Sequence, residues 1–503
     1  MSKKLLSIAA LAGLLASCTA VGVQDDQLSP EELTTPQEVS FGAYLNRGTA
    51  TKAGSPGALT TDGTGGAVSL QTAGFGVFGY YTNGELYSET TSKPDFMYNE
   101  RVYYSPGIPG WMYDNIKYWP NEYGDDAASD EVDRLTFFAY APWVDVTEST
   151  GVVEDDGTAD YATVGITGMT RNTASGDPYI KFAASLEPAK SVDLCWGVAQ
   201  DDFTSSVDGT NNAISARYPY IDVIKPKVSD KVAFIFQHAL AALNVQIDAA
   251  VDEMTPGTNA VDSRTRIYVR SVTFEGFAVK GALNLNSTST TTAATPPATV
   301  ATAAPNWMGL SFTDKLSQDP VTIYDGRRDG KEGVSSTTAK NETPASLNPV
   351  LVQSAEYTTT LAPGTTYPYA SFSATTDGVT KLAVNLFDVT GVASADQLTA
   401  PVYVIPTSES MKVTIVYDVE TADATLIGLL SDSKTHGSTI ENSITKEIVF
   451  DNGSGETPLV MDAGKKYTVK LHLGMTSVQF EASVTPWDDT DANLDDTDLP
   501  VNA

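Results

Sequence analysis

The residues with the clearest chemical role stand near the start of the chain, where Leu15-Ala16-Ser17-Cys18 follows an apolar run. A charged start, a short apolar core and a small residue before a cysteine form the layout of a bacterial lipoprotein signal. The sequence therefore predicts a signal peptide over residues 1–17 and an acyl chain, such as palmitate, on the sulfur of Cys18. The alternative is an ordinary secretory signal with a chance cysteine.

Side chains for catalysis are scarce in the rest of the sequence. The three histidines are His238, His436 and His472, and none has a Cys or His neighbour at metal-ligand spacing. His238 and His472 lie in or beside apolar runs, where a histidine is usually structural. The segment Gly63–Gly66 is not followed by the Lys-Ser/Thr of a phosphate-binding loop. We therefore expect no enzymatic activity and no cofactor.

The acidic C-terminal tail has a weak resemblance to a calcium-binding loop. Its oxygen-bearing residues at loop positions 1, 3, 5 and 7 are Asp489, Asp491, Asn493 and Asp495. The position that normally needs glycine is Leu494, and Pro500 stands where a bidentate glutamate belongs. A solvated acidic end is therefore the favoured interpretation, and we expect no metal.

Aromatic residues are concentrated between positions 98 and 119. The cluster consists of Tyr103, Tyr104, Trp111, Tyr113, Tyr118 and Trp119. They could form a platform on which a glycan stacks. Because aromatics dominate strand cores, packing of a hairpin against the first domain is the favoured interpretation.

The composition is that of an exported, acidic protein. With 63 acidic and 31 basic residues the net charge is −32, which argues against binding to nucleic acid or to an anionic lipid surface. We expect contact with a membrane only through the lipid anchor. Cys195 is the only cysteine besides Cys18, so lipidation of Cys18 leaves no intramolecular disulfide.

Short alternating apolar runs separated by turn residues predict an all-β fold with few short helices. The predicted strands are 74–81, 135–140, 192–198, 231–236, 244–247, 267–274, 402–405, 412–419, 467–473 and 477–484. Possible short helices lie near Ala239–Leu243 and Ser394–Leu398. Many short strands at this spacing are typical of β-sandwiches.

The predicted organisation is two domains after the signal peptide. A leader with a first strand covers residues 18–47, an N-terminal sandwich 48–228 and a C-terminal sandwich 229–503, with the change placed in the charged segment Asp222–Asp230. Residues 286–305 are rich in Thr, Ala and Pro, and residues 325–346 have a similar composition. Both stretches lack the apolar side chains that offset ordering entropy, so we expect mobile surface insertions.

The segment 38–48 alternates like a strand with one apolar face. Val39, Phe41, Ala43 and Leu45 share that face, and the pattern ends at Arg47. Residues 49–59 are rich in Gly, Ala, Ser, Thr and Pro and predict a loop accessible to a trypsin-like protease, which would cut between Arg47 and Gly48. The alternative is a permanent first strand followed by a flexible loop.

Several motifs in order make the chain resemble the fimbrillins, the subunits of type V pili of Bacteroidales bacteria. Besides the lipoprotein signal they are VSFGAYLNRGTATKAG at 39–54, FGVFGYY at 75–81, IKYWP at 116–120, LTFFAYAP at 135–142, VDLCWGV at 192–198, VAFIFQHALAALNVQI at 232–247, YVIP at 403–406 and YTVKLHLGMTSVQFEASVTPWDD at 467–489. They span nearly the whole chain.

The resemblance implies two tandem transthyretin-like β-sandwiches delivered to the outer membrane as a lipoprotein. It also implies that a surface protease cuts after Arg47 and removes the strand containing Val39, Phe41, Ala43 and Leu45. Another pilin subunit then fills the groove by donor strand exchange, and the assembled fimbria serves adhesion to a host or bacterial receptor.

One departure from the family concerns the C-terminal tail, which should donate an apolar strand. In this chain only Leu499 and Val501 alternate as apolar residues in an Asp-rich end. The sequence thus supports the acceptor side better than the donor side, and stalk, tip and accessory roles stay open. The competing function is a monomeric surface lipoprotein that binds a glycan or a host protein.

Overall fold

The fold is that of a computed structural model of the chain. The described residues are 36–45, 59–60, 68–107, 110–120, 133–146, 153–154, 164–186, 190–199, 204–205, 212–213, 219–225, 231–249, 265–289, 304–310, 316, 319–325, 350–355, 379–381, 384–385, 401–422, 437–451, 456–473 and 478–486.

The described elements are almost all strands. In the first half they are β1 (Ser40–Leu45), β2 (Leu59–Thr60), β3 (Val68–Ser69), α1 (Leu70–Ala73), β4 (Phe75–Tyr81), β5 (Met97–Ser105), β6 (Gly110–Met112), β7 (Leu135–Ala141), β8 (Val153–Glu154), β9 (Gly165–Met169), β10 (Tyr179–Ala183), β11 (Cys195–Val198), β12 (Thr204–Ser205), β13 (Asn212–Ala213), β14 (Tyr220–Val223) and β15 (Lys231–His238).

The second half continues in the same way. Its strands are β16 (Ala241–Ala249), β17 (Thr265–Glu275), β18 (Phe277–Ala278), β19 (Lys280–Asn284), β20 (Asn306–Met308), β21 (Val321–Asp325), β22 (Val350–Ala355), β23 (Val379–Lys381), β24 (Val384–Asn385), β25 (Val402–Pro406), β26 (Lys412–Ala422), β27 (Gly437–Glu447), β28 (Val449–Asp451), β29 (Glu456–Pro458), β30 (Lys465–Leu473) and β31 (Val478–Pro486). The all-β prediction is confirmed.

Four larger sheets organise these strands. The first sheet has the order β1-β15-β11-β7-β4-β5-β6, with β14 also paired to β7, and the second has the order β20-β19-β10-β9-β8. The third sheet has the order β18-β25-β16-β30-β31, with β24 on β16. The fourth has the order β23-β22-β17-β26-β27, with β21 on β17. Most neighbours in these sheets are antiparallel, but β1 runs parallel to β15, β8 to β9 and β16 to β30.

Three apolar clusters hold the sheets together. The first sheet buries Phe78, Tyr140 and Trp196 on one face against Ile180 and Phe182 of the second sheet. Its other face forms a separate cluster that includes β1. The third and fourth sheets share a further core, to which they contribute alternating residues such as Val245 and Val413. This alternation is the reason why the period-two pattern in the sequence finds the strands.

The ten predicted strands are confirmed as parts of β4, β7, β11, β15, β16, β17, β25, β26, β30 and β31. The predicted helix at Ala239–Leu243 is wrong, because Ala241–Leu243 begin β16 and pair with Val402–Val404 of β25. Cross-strand pairing on both flanks of β16 overrides the helix propensity of alanine and leucine. The possible helix at 394–398 lies outside the described residues.

The stretch 286–305 differs from the expected mobile insertion at its beginning. Asn286, Ser287 and Ser289 are buried. The side-chain amide of Asn286 donates to Asp177 at 2.9 Å, and the Ser289 hydroxyl donates to Glu89 at 2.6 Å. Hydrogen bonds therefore replace the missing apolar contacts. Residues 290–303 lie outside the described residues, as do residues 326–346 of the second insertion.

The passage from the first to the third sheet is abrupt. β15 belongs to the first sheet and β16 to the third, and only Ala239 and Leu240, both buried, separate them. Strand 231–238, assigned by sequence to the C-terminal domain, thus hydrogen-bonds with N-terminal strands. The boundary at 228/229 and the tandem transthyretin-like arrangement stay predictions. In the described part of the chain, no helix has the length and apolarity needed to cross a bilayer.

Candidate functional site

The segment with the predicted removable strand forms β1 at the edge of the first sheet. Its residues pair in parallel with β15, from Ser40 opposite Lys231 to Leu45 opposite Phe236. The residues just before β1 pair on the other side: the Val39 amide donates to the Lys117 carbonyl at 2.9 Å, and the Trp119 amide donates to the Gln37 carbonyl at 2.8 Å. Residues 37–39 are therefore held by residues 117–119, and residues 40–45 by β15.

The apolar face of this segment is buried as predicted from its alternation. Val39, Phe41, Ala43 and Leu45 expose between 0% and 7% of their surface. They belong to the cluster formed on one face of the first sheet. Full burial contributes roughly 1.5–3 kcal/mol for each of Val39, Phe41 and Leu45. The strand therefore fills part of the core.

Phe41 is the one aromatic side chain among these four, and its ring packs against three other rings. Its ring centroid lies 5.4 Å from Tyr113, 5.8 Å from Phe137 and 6.3 Å from Phe234. The first two pairs meet edge to face, which is a favoured geometry for aromatic rings. Loss of Phe41 would leave three rings facing an empty slot.

Tyr113 adds a polar contact at the beginning of the strand. Its hydroxyl donates to the Val39 carbonyl at 2.6 Å and accepts from the Lys117 amide at 3.1 Å. Burial raises the pKa of Tyr113 to about 12, since the ionised phenolate would lose its hydration. The neutral hydroxyl is thus the form that holds the backbone of the segment.

The remaining predicted site residues lie outside the described residues. These are Cys18 for lipidation, Arg47 and Gly48 for cleavage, and the tail residues Asp489, Asp491, Asn493 and Asp495 for calcium. His436 is outside as well, whereas His472 lies in β30.

The aromatic cluster divides into core and surface members. Tyr113 and Trp119 are buried in the same cluster as β1, and the Trp111 ring packs 5.1 Å from Phe75. Tyr118 is half exposed. The cluster thus mainly packs the β5–β6 hairpin and the segment after it into the core on one face of the first sheet, in keeping with the packing interpretation favoured from the sequence.

A second arrangement of reactive side chains was missed by sequence reasoning. His238 at the end of β15 lies with Nδ1 2.7 Å from Oδ2 of Asp193 and 3.5 Å from Sγ of Cys195. All three residues are buried. Adjacent strands bring Cys195 opposite His238, although 43 positions separate them in sequence. The alternating residues Asp193 and Cys195 were the only local signal.

Comparison with known proteins gives matches among solved structures only. No protein-family model and no curated protein matches the chain. The chain is similar to a fimbrial protein from Bacteroides vulgatus at 18% identity, with a TM-score of 0.43, over 90% of this chain and 99% of that one. It is also similar to a candidate cell adhesion protein from Parabacteroides distasonis at 8% identity, with a TM-score of 0.36, over 90% and 97% of the two chains.

A third neighbour is a candidate cell adhesion protein from Bacteroides uniformis at 12% identity, with a TM-score of 0.31, over 90% and 98% of the two chains. Because these TM-scores are below 0.5, the function is inferred below from the contacts of β1. Of these three neighbours, one is named as a fimbrial protein and two as candidate cell adhesion proteins.

Proposed function

We propose that the chain is a non-catalytic structural subunit of a cell-surface pilus and that it serves adhesion. It is exported as a lipoprotein anchored through Cys18 and is cut after Arg47. Loss of β1 then opens a groove that takes a strand from another pilin subunit. The observation that carries the proposal is the burial of the apolar face of β1 at a sheet edge, two residues before the predicted cut.

The pairing of β1 explains why removal would leave a specific vacancy. β1 is an end strand of the first sheet, so its departure leaves the order β15-β11-β7-β4-β5-β6 continuous. The edge of β15 would then present unpaired backbone groups over six residues. An exposed edge of this kind recruits another strand by main-chain hydrogen bonding.

The apolar slot supplies specificity for the incoming strand. It is lined by Tyr113, Phe137 and Phe234 where Phe41 now lies. A replacement needs apolar residues at alternate positions to restore this burial. The Asp-rich tail after β31 matches that requirement poorly, which favours an acceptor whose own donor function is weak, as in a tip or accessory subunit.

Trypsin treatment of the folded full-length chain tests the cleavage. We expect the first cut after Arg47, so that the early product begins at Gly48, because a Gly/Thr-rich stretch follows it. An early cut elsewhere with Arg47 protected would argue for a permanent first strand. The anchor is tested separately: mass spectrometry of membrane fractions should find acylated Cys18, and Cys18→Ser should leave the precursor unprocessed or released.

Peptide rescue tests the groove. The cut chain stripped of its leader should melt at a lower temperature than the intact chain, and a peptide of residues 38–46 should restore stability. At 100 times its dissociation constant such a peptide stabilises by about 2.7 kcal/mol. A peptide with Phe41→Asp and Leu45→Asp should fail, because it would bring two charges into the apolar slot.

The matched control peptide carries Ser40→Asp and Asn46→Asp, which add the same charge on the other face of the alternating pattern, and it should still rescue. Equal melting temperatures for cut and uncut protein would contradict strand exchange. That result would favour the monomeric surface lipoprotein that binds a glycan or a host protein.

A further inference from the structure

Three potential ligand atoms of different chemistry converge where β11 meets the end of β15. They are Oδ2 of Asp193, Sγ of Cys195 and Nδ1 of His238, and all lie within 4.8 Å of one another. We propose that they form a closed structural site for one Zn²⁺ ion. Thiolate, imidazole and carboxylate are the three ligand types that proteins use for zinc.

The distances between these atoms are close to those of a tetrahedral zinc site. Sγ of Cys195 lies 3.5 Å from Nδ1 of His238 and 3.7 Å from Oδ2 of Asp193. Ligand atoms around tetrahedral zinc are about 3.4–3.6 Å apart when the bond lengths are those of protein sites. Only the 2.7 Å contact between Nδ1 and Oδ2 must lengthen.

The second oxygen of Asp193 is an independent indication of a ligand. Asp193 exposes 1% of its surface, and its Oδ1 finds no hydrogen-bond donor among the described residues. A buried carboxylate oxygen without a donor is costly. A simple Asp–His hydrogen bond accounts for Oδ2 and Nδ1 but leaves Oδ1 unsatisfied. A cation held by both oxygens of Asp193 satisfies it, and because the two oxygens of one carboxylate lie close together, the fourth position is distorted from a regular tetrahedron.

Charge balance also favours a divalent ion. On binding, the Cys195 thiol loses its proton to solvent, and His238 binds as a neutral ring with its proton on Nε2. The thiolate and the Asp193 carboxylate together carry two negative charges, which cancel those of Zn²⁺. A neutral cluster is the arrangement that a buried site tolerates best.

The surroundings of the site support its ligands. The Leu59 amide donates to Oδ2 of Asp193 at 3.1 Å, the kind of hydrogen bond that orients a ligating carboxylate. Leu59 lies shortly after the predicted cleavage position, and His238 ends the strand that pairs with β1. Zinc would therefore fix the acceptor strand β15 to β11 while β1 is exchanged.

The test uses the full-length chain without a histidine tag and with Cys18→Ser, which leaves Cys195 as the only thiol. After treatment with a chelator, Co²⁺ is added as a spectroscopic probe. We expect one Co²⁺ per chain, with the absorption of a thiolate–cobalt bond, displacement by Zn²⁺ and a rise in melting temperature. Asp193, Cys195 and His238 are unaltered in this protein. The absence of thiolate–cobalt absorption would therefore overturn the proposal.

Variants then assign the ligands. Adding Cys195→Ser should abolish the thiolate absorption, and adding His238→Gln should weaken Co²⁺ binding at least tenfold. His472→Gln, on β30, is the matched control and should bind like the parent. Metal binding that survives Cys195→Ser unchanged would place the ion elsewhere and overturn the proposal.

Discussion

β1 and β27 are both end strands of a sheet, and they differ in almost every other respect. β1 pairs over six residues, in parallel, with a strand nearly 200 positions away in sequence, and buries its apolar face. β27 pairs over eleven residues, antiparallel, with its sequence neighbour β26. Its Ile440 is 60% exposed, and Glu441, Lys446 and Glu447 are exposed as well.

The comparison separates two ways of ending a sheet. Exposed charges along β27 discourage a further strand from adding to that edge. β1 carries no such charges between Ser40 and Leu45, and its side chains belong to the core rather than to a protective surface. The exposed charges of β27 are those of a permanent sheet edge, whereas β1 is the strand that we propose is exchanged.

The largest effect on stability is expected from shortening the Phe41 side chain in β1. Phe41→Ala should lower the free energy of unfolding by about 3–5 kcal/mol, because it removes a ring packed among three others. The matched change in β27, Ile440→Ala, should change it by less than about 0.5 kcal/mol. Urea unfolding of the full-length chain measures both, and equal losses would break the comparison.

A smaller effect is expected from the hydroxyl that holds the entry to β1. Tyr113→Phe should cost about 1–2 kcal/mol, because the buried Val39 carbonyl loses its 2.6 Å donor. Tyr103→Phe is the control, since the Tyr103 hydroxyl donates to Asp114 at the surface. The same urea experiment should show almost no loss for Tyr103→Phe. A similar loss in both variants would mean that the contact to Val39 has no special weight.

Alkaline pH provides a second test of the contribution of the Tyr113 hydroxyl to stability. Burial raises the pKa of Tyr113 from 10.0 to about 12, so this tyrosine ionises first in the unfolded chain. Its stabilising contribution is complete below pH 10 and is lost as the pH rises through 12. Other tyrosines whose pKa is raised by burial, such as Tyr98, Tyr140 and Tyr467, contribute to the same fall. The loss of stability between pH 10 and 12 should therefore become less steep, without vanishing, in Tyr113→Phe, as measured by melting temperature against pH.

The two edges also show how far sequence reasoning reaches. Alternation placed β1, its buried face and β26, because a period of two follows directly from strand geometry. β4 and β7 are buried on both faces and were found as short, nearly continuous apolar runs. Contacts between segments distant in the chain could not be predicted from the sequence. The burial of Asn286 depends on Asp177, 109 positions away, and composition alone suggested a mobile insertion.

The cluster at the end of β15 was hidden for the same reason. Cys195 and His238 have no ligand spacing along the chain, and only the antiparallel register of β11 and β15 sets them opposite each other. Asp193 and Cys195 alternate, so a reader who paired these two strands could have found the site. Register between distant strands is set by the packing of whole sheets, which a single sequence does not specify.

The smallest expected effect lies on the surface of β27. The hydroxyls of Thr414 and Thr445 are 2.9 Å apart across the β26–β27 pair and are exposed. Thr445→Val keeps the branched shape and removes only this contact, so the loss of stability should be about 0.2–1 kcal/mol, the usual range for one cross-strand pair. Thr445→Ser, which retains the hydroxyl, is the control for the contact itself. Since water solvates the released Thr414 hydroxyl, the variant should also leave the early trypsin pattern and the peptide rescue unchanged. A loss in Thr445→Val as large as that in Phe41→Ala would show that β27 contributes to the fold as β1 does, and the distinction between a permanent and an exchangeable edge would fail.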